Sequence, residues 1–496
     1  MTGQPVPEQV HVQFGADAST QVAVSWVSPG GPPAAPRLRL GPAAGSARHE
    51  VPAIERTYTE ALTGELVRAY HARAGGLEPD TRYVFQVLHD DARPVDGSFR
   101  TAPRGRSAPF RFTSVGDQAI PAGVGAGFGP HSANAGFVVD AIDALDPLFH
   151  LANGDLSYAD LSDDPVATWA AYFANVGRSA RHRPWMPAAG NHENESGNGS
   201  PGYLSYQTRF ALPPNGSTRF GGLWYAFTAG SVRVLSLNND DVCLQDGGFS
   251  TYRRDHIPGF AASGADPYVH GYSGGAQRRW LERELAAARR SPELDWVVVC
   301  MHQVAMSSSR GNGADLGIRR DWLPLFDAYR VDLVLAGHEH CYERTYPVRG
   351  VLPGSPVATP APASGDRIEI DPADGTVHMT IGGGGHPVQV PPGPEPAQGT
   401  VITGVEPGSP LVQRRSITAT EPAPWLAYRE TARPFGFACL DVDPAEPGGT
   451  TSISVTYYAA EAGSRDYLPC DAFVLRKPVR PDARWPRELA GARPRS

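Results

Sequence analysis

Runs of apolar residues long enough for β-strands recur along most of the chain, and helical patterns lie between many of them. Phe110–Val115 alternates as a half-buried strand does, whereas Trp296–Met301 is a continuous apolar run, typical of a strand buried on both faces. Ala135–Leu145 and Ser273–Ser291 each place apolar residues on one helical face, and Ser273 is a candidate N-cap. This alternation predicts an α/β domain built from βαβ units.

The first hundred residues differ, because they alternate apolar and polar positions with the period of half-buried strands. Val10–Phe14, Gln21–Trp26 and Tyr83–Val87 show the pattern most clearly. Leu77–Tyr83 resembles the tyrosine-corner segment of fibronectin type III domains, in which a tyrosine hydroxyl binds upstream backbone. We therefore expect an all-β, fibronectin III-like sandwich over residues 1–104.

Polar residues of metal-binding types follow five of the apolar runs, at the points where the strands are predicted to end. After Val331–Ala336, for example, come His338 and His340, and neutral imidazole is a strong ligand for Zn, Fe and Mn. In open α/β folds, binding sites are built at the carboxyl ends of the strands. The candidate residues, in chain order, are Asp117, Asp155, Tyr158, Asn191, His192, His302, His338 and His340. Together they predict a two-metal centre.

These groups resemble the five sequence blocks of the metallophosphoesterases, in the order found in purple acid phosphatases. The blocks are Gly116-Asp117, Gly154-Asp155-x-x-Tyr158, Gly190-Asn191-His192-Glu193, Val299-x-x-His302 and Gly337-His338-x-His340. Tyr158 and the run Tyr342–Arg344 narrow the resemblance to the purple acid branch. The resemblance implies a multidomain protein: the sandwich, an α/β metallophosphoesterase domain over residues 105–476 with two mixed sheets flanked by helices, and an Arg-rich tail over 477–496.

The resemblance also implies how the metal ions are held. Phosphate esters resist attack by anions, and two cations about 3.5–4 Å apart neutralise that charge and supply hydroxide at mild pH. By the family pattern Asp155 bridges the two ions, while Asp117, Tyr158 and His340 complete the first site and Asn191, His302 and His338 complete the second. Phenolate favours a trivalent ion, so we expect Fe(III) in the first site and a divalent Fe, Zn or Mn in the second.

Two further residues are candidates for contact with the substrate. His192 matches the family's non-ligand histidine, which contacts the phosphoryl group and protonates the leaving alkoxide; the alternative is a purely structural histidine. Arg310 is either a phosphate clamp or a solvated loop charge. The histidine pair of plant-type enzymes is replaced here by Met306–Gly311, so we expect different substrate contacts. The glycines of Gly382–His386 either allow close approach to a phosphate or form a turn.

The expected activity is that of an acid phosphatase, a metal-dependent phosphomonoester hydrolase that uses a metal-activated hydroxide at an Fe(III)-M(II) centre. Phosphodiester or nucleotide hydrolysis on the same centre is the alternative, because the metal ions serve both reactions. A non-catalytic binding protein that uses the sandwich is a remote alternative, against which the seven filled ligand positions argue.

Composition limits the partners. The net charge of -8 and pI of about 6.0 argue against a general nucleic-acid or membrane-surface binder. The family resemblance implies a small phosphate ester as the partner, with nucleotides as possible substrates. No apolar run reaches the roughly 18 residues that span a bilayer. Family resemblance implies a secreted or cell-envelope protein, but Met1–Pro5 lacks the features of a signal peptide, so a cytoplasmic location stays open. The sequence does not predict the oligomeric state.

Overall fold

The amino-terminal part of the chain forms two packed antiparallel sheets of four strands each. The computed structural model describes residues 6–121, 131–195, 200–245, 270–309, 311–386, 398–406 and 416–479. The strands of this part are β1 (Glu8–Phe14), β2 (Val22–Val27), β3 (Arg37–Pro42), β4 (His49–Pro52), β5 (Ile54–Thr59), β6 (Leu66–Ala74), β7 (Arg82–Leu88) and β8 (Val95–Arg100). The sheet orders are β1-β2-β6-β5 and β4-β3-β7-β8. The Glu78 N–H donates to the Tyr83 hydroxyl at 2.9 Å, as a tyrosine corner requires.

The rest of the described chain is built around two mixed sheets of seven strands. The strands of the first, in chain order, are β9 (Phe110–Val115), β10 (Phe149–Ala152), β11 (Trp185–Pro187), β20 (Glu369–Ile370), β25 (Phe435–Asp443), β26 (Thr450–Ala460) and β27 (Leu468–Pro478). Those of the second are β12 (Tyr225–Ala229), β13 (Val232–Ser236), β14 (Trp296–Cys300), β16 (Leu333–Ala336), β17 (Tyr342–Thr345), β21 (Val377–Ile381) and β24 (Leu426–Arg429). Their spatial orders are β11-β10-β9-β25-β26-β27-β20 and β12-β13-β14-β16-β21-β17-β24.

Helices and two small sheets surround this pair. The helices are α1 (Asn134–Ala144), α2 (Pro165–Ala180), α3 (Leu204–Arg209), α4 (Ala276–Arg290), α5 (Leu316–Asp321) and α6 (Leu323–Ala328). The small sheets are β15 (Ala314–Asp315) with β22 (Gln398–Val405) and β23 (Ser416–Pro422), and β18 (Val348–Val351) with β19 (Pro360–Pro362). Ser273 is not the N-cap that the sequence predicted, because Gly275 precedes α4. The Ser273 hydroxyl accepts the Gln277 N–H of the first turn at 3.3 Å and donates to Asp241 at 2.6 Å.

The two large sheets pack face to face and share one apolar core. The Phe149 ring of the first sheet lies 5.5 Å from the Phe227 ring of the second, and it stacks on Phe112 at 4.9 Å. Helix α4 buries Trp280 and Leu281 in the same core. This architecture confirms the predicted fold class, an all-β sandwich followed by an α/β sandwich. Among the described residues no helix is long and apolar enough to cross a membrane.

The parallel strands that precede the candidate residues end side by side. In the first sheet β9, β10 and β11 run parallel, with Val115 opposite Ala152 and Ala152 opposite Pro187. In the second, β14 and β16 run parallel, with Cys300 opposite Leu335. The two edges meet where the Gly116 N–H that follows β9 donates to the Ile381 carbonyl of β21 at 2.9 Å. The loops after five strands therefore converge on one place.

The sandwich packs on the α/β part through polar side chains of sheet β1-β2-β6-β5. His71 Nε2 donates to the Thr208 carbonyl at 2.9 Å, and burial lowers the pKa of His71 to about 3, so the ring is neutral. The fully buried Arg209 donates to the Tyr58 hydroxyl of β5 at 2.8 Å. At the other end of the chain β27 runs to Pro478, so the first two residues of the predicted Arg-rich tail lie in the sheet; residues 480–496 lie outside the described residues.

Candidate metal centre

One group of three side chains forms around the Tyr158 hydroxyl. This hydroxyl donates to Asp117 Oδ1 at 3.1 Å, and His340 Nε2 lies 3.3 Å from both oxygens. Asp117 and Tyr158 are buried, whereas His340 is partly exposed. The structure thus brings together three of the four side chains that the family pattern assigns to the first metal site.

A second group forms around His302. Its Nε2 lies 3.0 Å from Asp155 Oδ2 and 3.2 Å from His338 Nδ1, and these three residues can place one ligand atom each within 4.8 Å of the others. His302 Nδ1 donates to the Asn153 carbonyl at 2.8 Å, which leaves Nε2 free to face the group. Three of the four residues expected around the second ion therefore converge.

Asn191, the fourth, has a buried side-chain oxygen that lacks a partner. Asn191 is only 5% exposed, and within the described part of the chain no donor reaches its Oδ1. Leaving a buried acceptor unsatisfied costs about 1–3 kcal/mol. A cation at this position would satisfy that oxygen, so the residue fits the metal site that the sequence predicts.

The electrostatics of the pocket also favour positive charge. Burial by itself would lower the pKa of His302, but the carboxylates of Asp155 and Asp117 outweigh that effect and raise the pKa from the ordinary 6.5 to about 9. Burial likewise lowers the pKa of His192, whereas Asp160 and Asp155 raise it to about 10. Carboxylate, phenol, amide and imidazole donors together suit Fe, Zn or Mn. The residues present thus fit a pair of metal ions.

Backbone conformation fixes several of these side chains. Asp117, Asp155, Tyr158 and His338 all have left-handed φ values, of 60°, 53°, 57° and 70°. Such φ values are uncommon for residues other than glycine and cost of order 1–3 kcal/mol each. Four of the seven predicted ligands therefore have strained backbone conformations, which cluster at functional sites.

Glycines allow the loops to approach the carboxylates. A Cβ at Gly190 would lie 2.2 Å from Asp155 Oδ1, and one at Gly382 would lie 2.8 Å from Asp117 Oδ2 and 2.2 Å from the Glu339 carbonyl. The run Gly382–His386 therefore packs close to Asp117 itself. Its last residue donates its backbone N–H to the Asp117 carbonyl at 2.9 Å.

His192 faces both groups without belonging to either. Its Nδ1 lies 2.8 Å from Asp160 Oδ2, and its Nε2 lies 3.9 Å from Asp155 Oδ2. The ring is 18% exposed and stands 4.5 Å from the Tyr158 ring. Asp160 therefore orients the imidazole so that Nε2 points at the centre.

Sequence reasoning missed several residues that support the site. Asp160 follows Tyr158 by two positions, but nothing in the pattern linked it to His192. Glu193 accepts the backbone N–H groups of Asp155, Leu156 and Gly190 at 2.7–2.9 Å and so ties two loops together. The only sign of Glu193 in the sequence was its place in the block Gly190-Asn191-His192-Glu193.

His386 forms part of the rim of the site. Its ring lies 3.9 Å from that of His340 and 4.7 Å from that of Tyr158. The glycine run before it was the only signal in the sequence. Arg310, the predicted phosphate clamp, lies outside the described residues.

Comparisons with known proteins agree with this geometry. Residues 7–114 match the purple acid phosphatase N-terminal domain, and residues 129–342 match the calcineurin-like phosphoesterase family. An uncharacterized protein of Mycobacterium tuberculosis is 50% identical over 488 residues, which are 96% of this chain and 88% of that protein. A purple acid phosphatase of Glycine max is 26% identical over 459 residues, 89% of this chain and 80% of the relative.

Solved structures show the same fold. The purple acid phosphatase PPD1 from yellow lupin (Lupinus luteus) seeds superposes with a TM-score of 0.66 at 18% identity, covering 95% of this chain and 74% of that one. Structural similarity at 18% identity shows that the folds agree, whereas the sequence matches indicate the family. Taken with the converging donor groups, they show that the chain belongs to the purple acid phosphatase family and is a binuclear metal phosphoesterase.

Proposed function

We propose that the protein is an acid phosphatase that hydrolyses small phosphomonoesters at an Fe(III)-M(II) centre, where M is Fe, Zn or Mn. The observation that carries this proposal is the Tyr158 hydroxyl beside Asp117 and His340. Burial and the carboxylates of Asp117 and Asp155 raise the pKa of Tyr158 well above its ordinary value. A phenolate there requires a strongly charged cation, and a trivalent iron is the ion that hard anionic oxygen favours.

The proposed ligand assignment follows the two observed groups. Asp117, Tyr158 and His340 would hold the first ion, Asn191, His302 and His338 the second, and Asp155 both. In support, Asp155 Oδ2 lies 3.0 Å from His302 of the second group, and its charge raises the pKa of Tyr158 in the first. Burial lowers the pKa of His338 well below its ordinary value, which keeps its ring neutral as a metal ligand must be.

The chain's own residues account for the proton transfer. When bound, the two ions neutralise the phosphate oxygens and provide hydroxide at mild pH. Hydrolysis breaks the ester P–O bond and leaves an alkoxide that needs a proton. His192 Nε2 faces the centre, and Asp160 holds Nδ1 at 2.8 Å, so the imidazolium can donate from Nε2 to the departing oxygen.

The preference for monoesters is tested with matched substrates. We expect a higher kcat/KM for p-nitrophenyl phosphate than for bis(p-nitrophenyl) phosphate, measured on the metal-replete protein at acid pH. The support for this ordering is the family, whose named relatives include a purple acid phosphatase and a phosphoenolpyruvate phosphatase. A tenfold advantage for the diester would replace the proposal with a phosphodiesterase on the same centre.

Tyr158 provides a spectroscopic test. A tyrosinate bound to Fe(III) has a charge-transfer band in the visible region, so the iron-loaded protein should be pink to purple. Tyr158→Phe removes the donor oxygen but keeps the ring, and we expect the band to disappear while the far-ultraviolet circular dichroism stays native. Tyr225→Phe is the matched control, because Tyr225 is equally buried and its hydroxyl donates to the Pro187 carbonyl. A colourless wild type with iron present would remove the Fe(III)-tyrosinate assignment.

A further inference from the structure

An open cavity lies between the sandwich and the α/β part of the chain. Its volume is about 950 Å³, and none of the residues lining it belongs to the metal centre. Val22, Arg56 and Arg73 line it from the sandwich, and Gln207, Leu212 and Arg219 line it from the other side. This size is typical of small-molecule sites, which often lie between domains.

Two arginines of the sandwich direct their side chains at this interface. Arg56 of β5 pairs with Ala69 of β6, so their side chains share one face of the sheet with Arg73, four residues further along β6. Arg56 Nη1 donates to the carbonyls of Gln207 and Phe210 at 3.0 and 3.2 Å. Arg73 Nη2 donates to the Leu212 carbonyl at 3.0 Å.

Neither guanidinium has an acidic partner in the described part of the chain. No carboxylate there lies within 4.0 Å of Arg56 or Arg73, whereas Arg68 of the same sheet pairs with Glu55 at 3.0 Å. Both side chains are exposed to solvent in this open cavity, but partial desolvation by the surrounding protein atoms lowers the pKa of both guanidiniums, and the charge of Arg56 lowers the pKa of Arg73 further. Two neighbouring positive charges thus repel each other in a cavity to which no described residue contributes an anion.

The N–H donors of Arg56 and Arg73 that the carbonyl contacts leave unused suit one chemical class of ligand. A guanidinium carries five N–H donors, and the carbonyl contacts use one nitrogen of Arg56 and one of Arg73. The planar fork that remains matches the oxygens of carboxylate or phosphate. Two positive charges balance a dianion, and Thr57, Ser217 and Thr218 add hydroxyl groups to the lining.

We propose that this interdomain cavity binds a phosphate dianion through Arg56 and Arg73, either free inorganic phosphate or the phosphate group of an organic phosphate. The site is separate from the proposed hydrolysis, because it contains none of the metal-binding or proton-donating residues. Its ligand would join the two domains, since the arginines stand on the sandwich while Ser217 and Thr218 stand on the other part. Bound anion should therefore stabilise the folded chain.

Equilibrium dialysis of the metal-replete protein against radiolabelled inorganic phosphate tests the site by stoichiometry. We expect two phosphates per chain, one at the metal centre and one in the cavity. Arg73→Gln should weaken one of the two sites about 10- to 100-fold, the loss expected for a charge-assisted hydrogen-bonded pair. Arg68→Gln, the matched control on the same strand, should retain both sites at wild-type affinity.

A second variant and a second ligand extend this experiment. If Arg73→Gln fails to fold, as judged by circular dichroism, Arg73→Lys retains the charge and should retain the second site with weaker affinity. Phenylphosphonate, which has no ester bond, distinguishes the sources: tighter binding than phosphate at the Arg73-dependent site assigns an organic phosphate, and equal or weaker binding assigns free phosphate. Wild-type phosphate binding without any Arg73-dependent site, or two sites of unchanged affinity in Arg73→Gln, would overturn the proposal.

Discussion

Asp155→Asn is expected to lower the metal content of both sites and to reduce kcat/KM by at least about 10³-fold. A metal ion supplies several kcal/mol of transition-state stabilisation, and each 1.36 kcal/mol corresponds to a factor of ten. The proposed bridge needs a charged group with two donor oxygens, whereas an amide is neutral and has one. The measurements are elemental analysis of the purified variant and its kcat/KM.

Asn191→Ala and His302→Ala are the matched controls for this effect. Both residues belong to the proposed second site alone, so these variants should lose the second ion and keep the first, together with its visible band. If Asp155→Asn retained two ions per chain and wild-type turnover, Asp155 would not be the bridge.

His192→Ala is expected to lower kcat by about 10²- to 10⁴-fold, the usual contribution of a general acid, while leaving the metal content unchanged. The loss should shrink as the leaving group improves, because a stable leaving anion needs no proton. A series of aryl phosphates with graded leaving-group pKa values measures this dependence.

Asp160→Asn separates orientation from proton donation. The variant keeps His192 but loses the carboxylate 2.8 Å from its Nδ1, so kcat should fall less than in His192→Ala. An equal loss for all leaving groups in His192→Ala would assign the residue to phosphate positioning. Wild-type kinetics in that variant would return it to a structural role.

The sequence predicted the location of the site because strand ends are visible as local patterns. Val115 and Ala152 end adjacent parallel strands, and the polar residues after them had to meet at one edge. The alternation in the first hundred residues and the Tyr83 segment likewise predicted the sandwich that the structure shows. The ligand roles and the limits of the domains stay predictions.

Contacts between loops that are far apart in the sequence could not be predicted from a local sequence pattern. Asp160 looked like an ordinary acidic residue, yet it orients His192. Glu193 stood in a family sequence block, but nothing local showed that it binds backbone N–H groups of two loops. Ser273 was predicted as the N-cap of a helix, but Gly275 holds that position, and the Ser273 hydroxyl donates to Asp241, 32 residues earlier. Nothing in the sequence singled out Arg56 and Arg73, because only the packing of the sandwich on the rest of the chain places them in one cavity.

Elemental analysis of the fully active wild-type protein is the decisive measurement for the binuclear centre. We expect two metal ions per chain, of which one is iron and the other is iron, zinc or manganese. This expectation rests on two donor groups, one centred on Tyr158 and one on His302, and on Asp155, which belongs to the second group and whose charge acts on Tyr158 in the first. A single metal ion per chain in protein of full specific activity would contradict the binuclear centre.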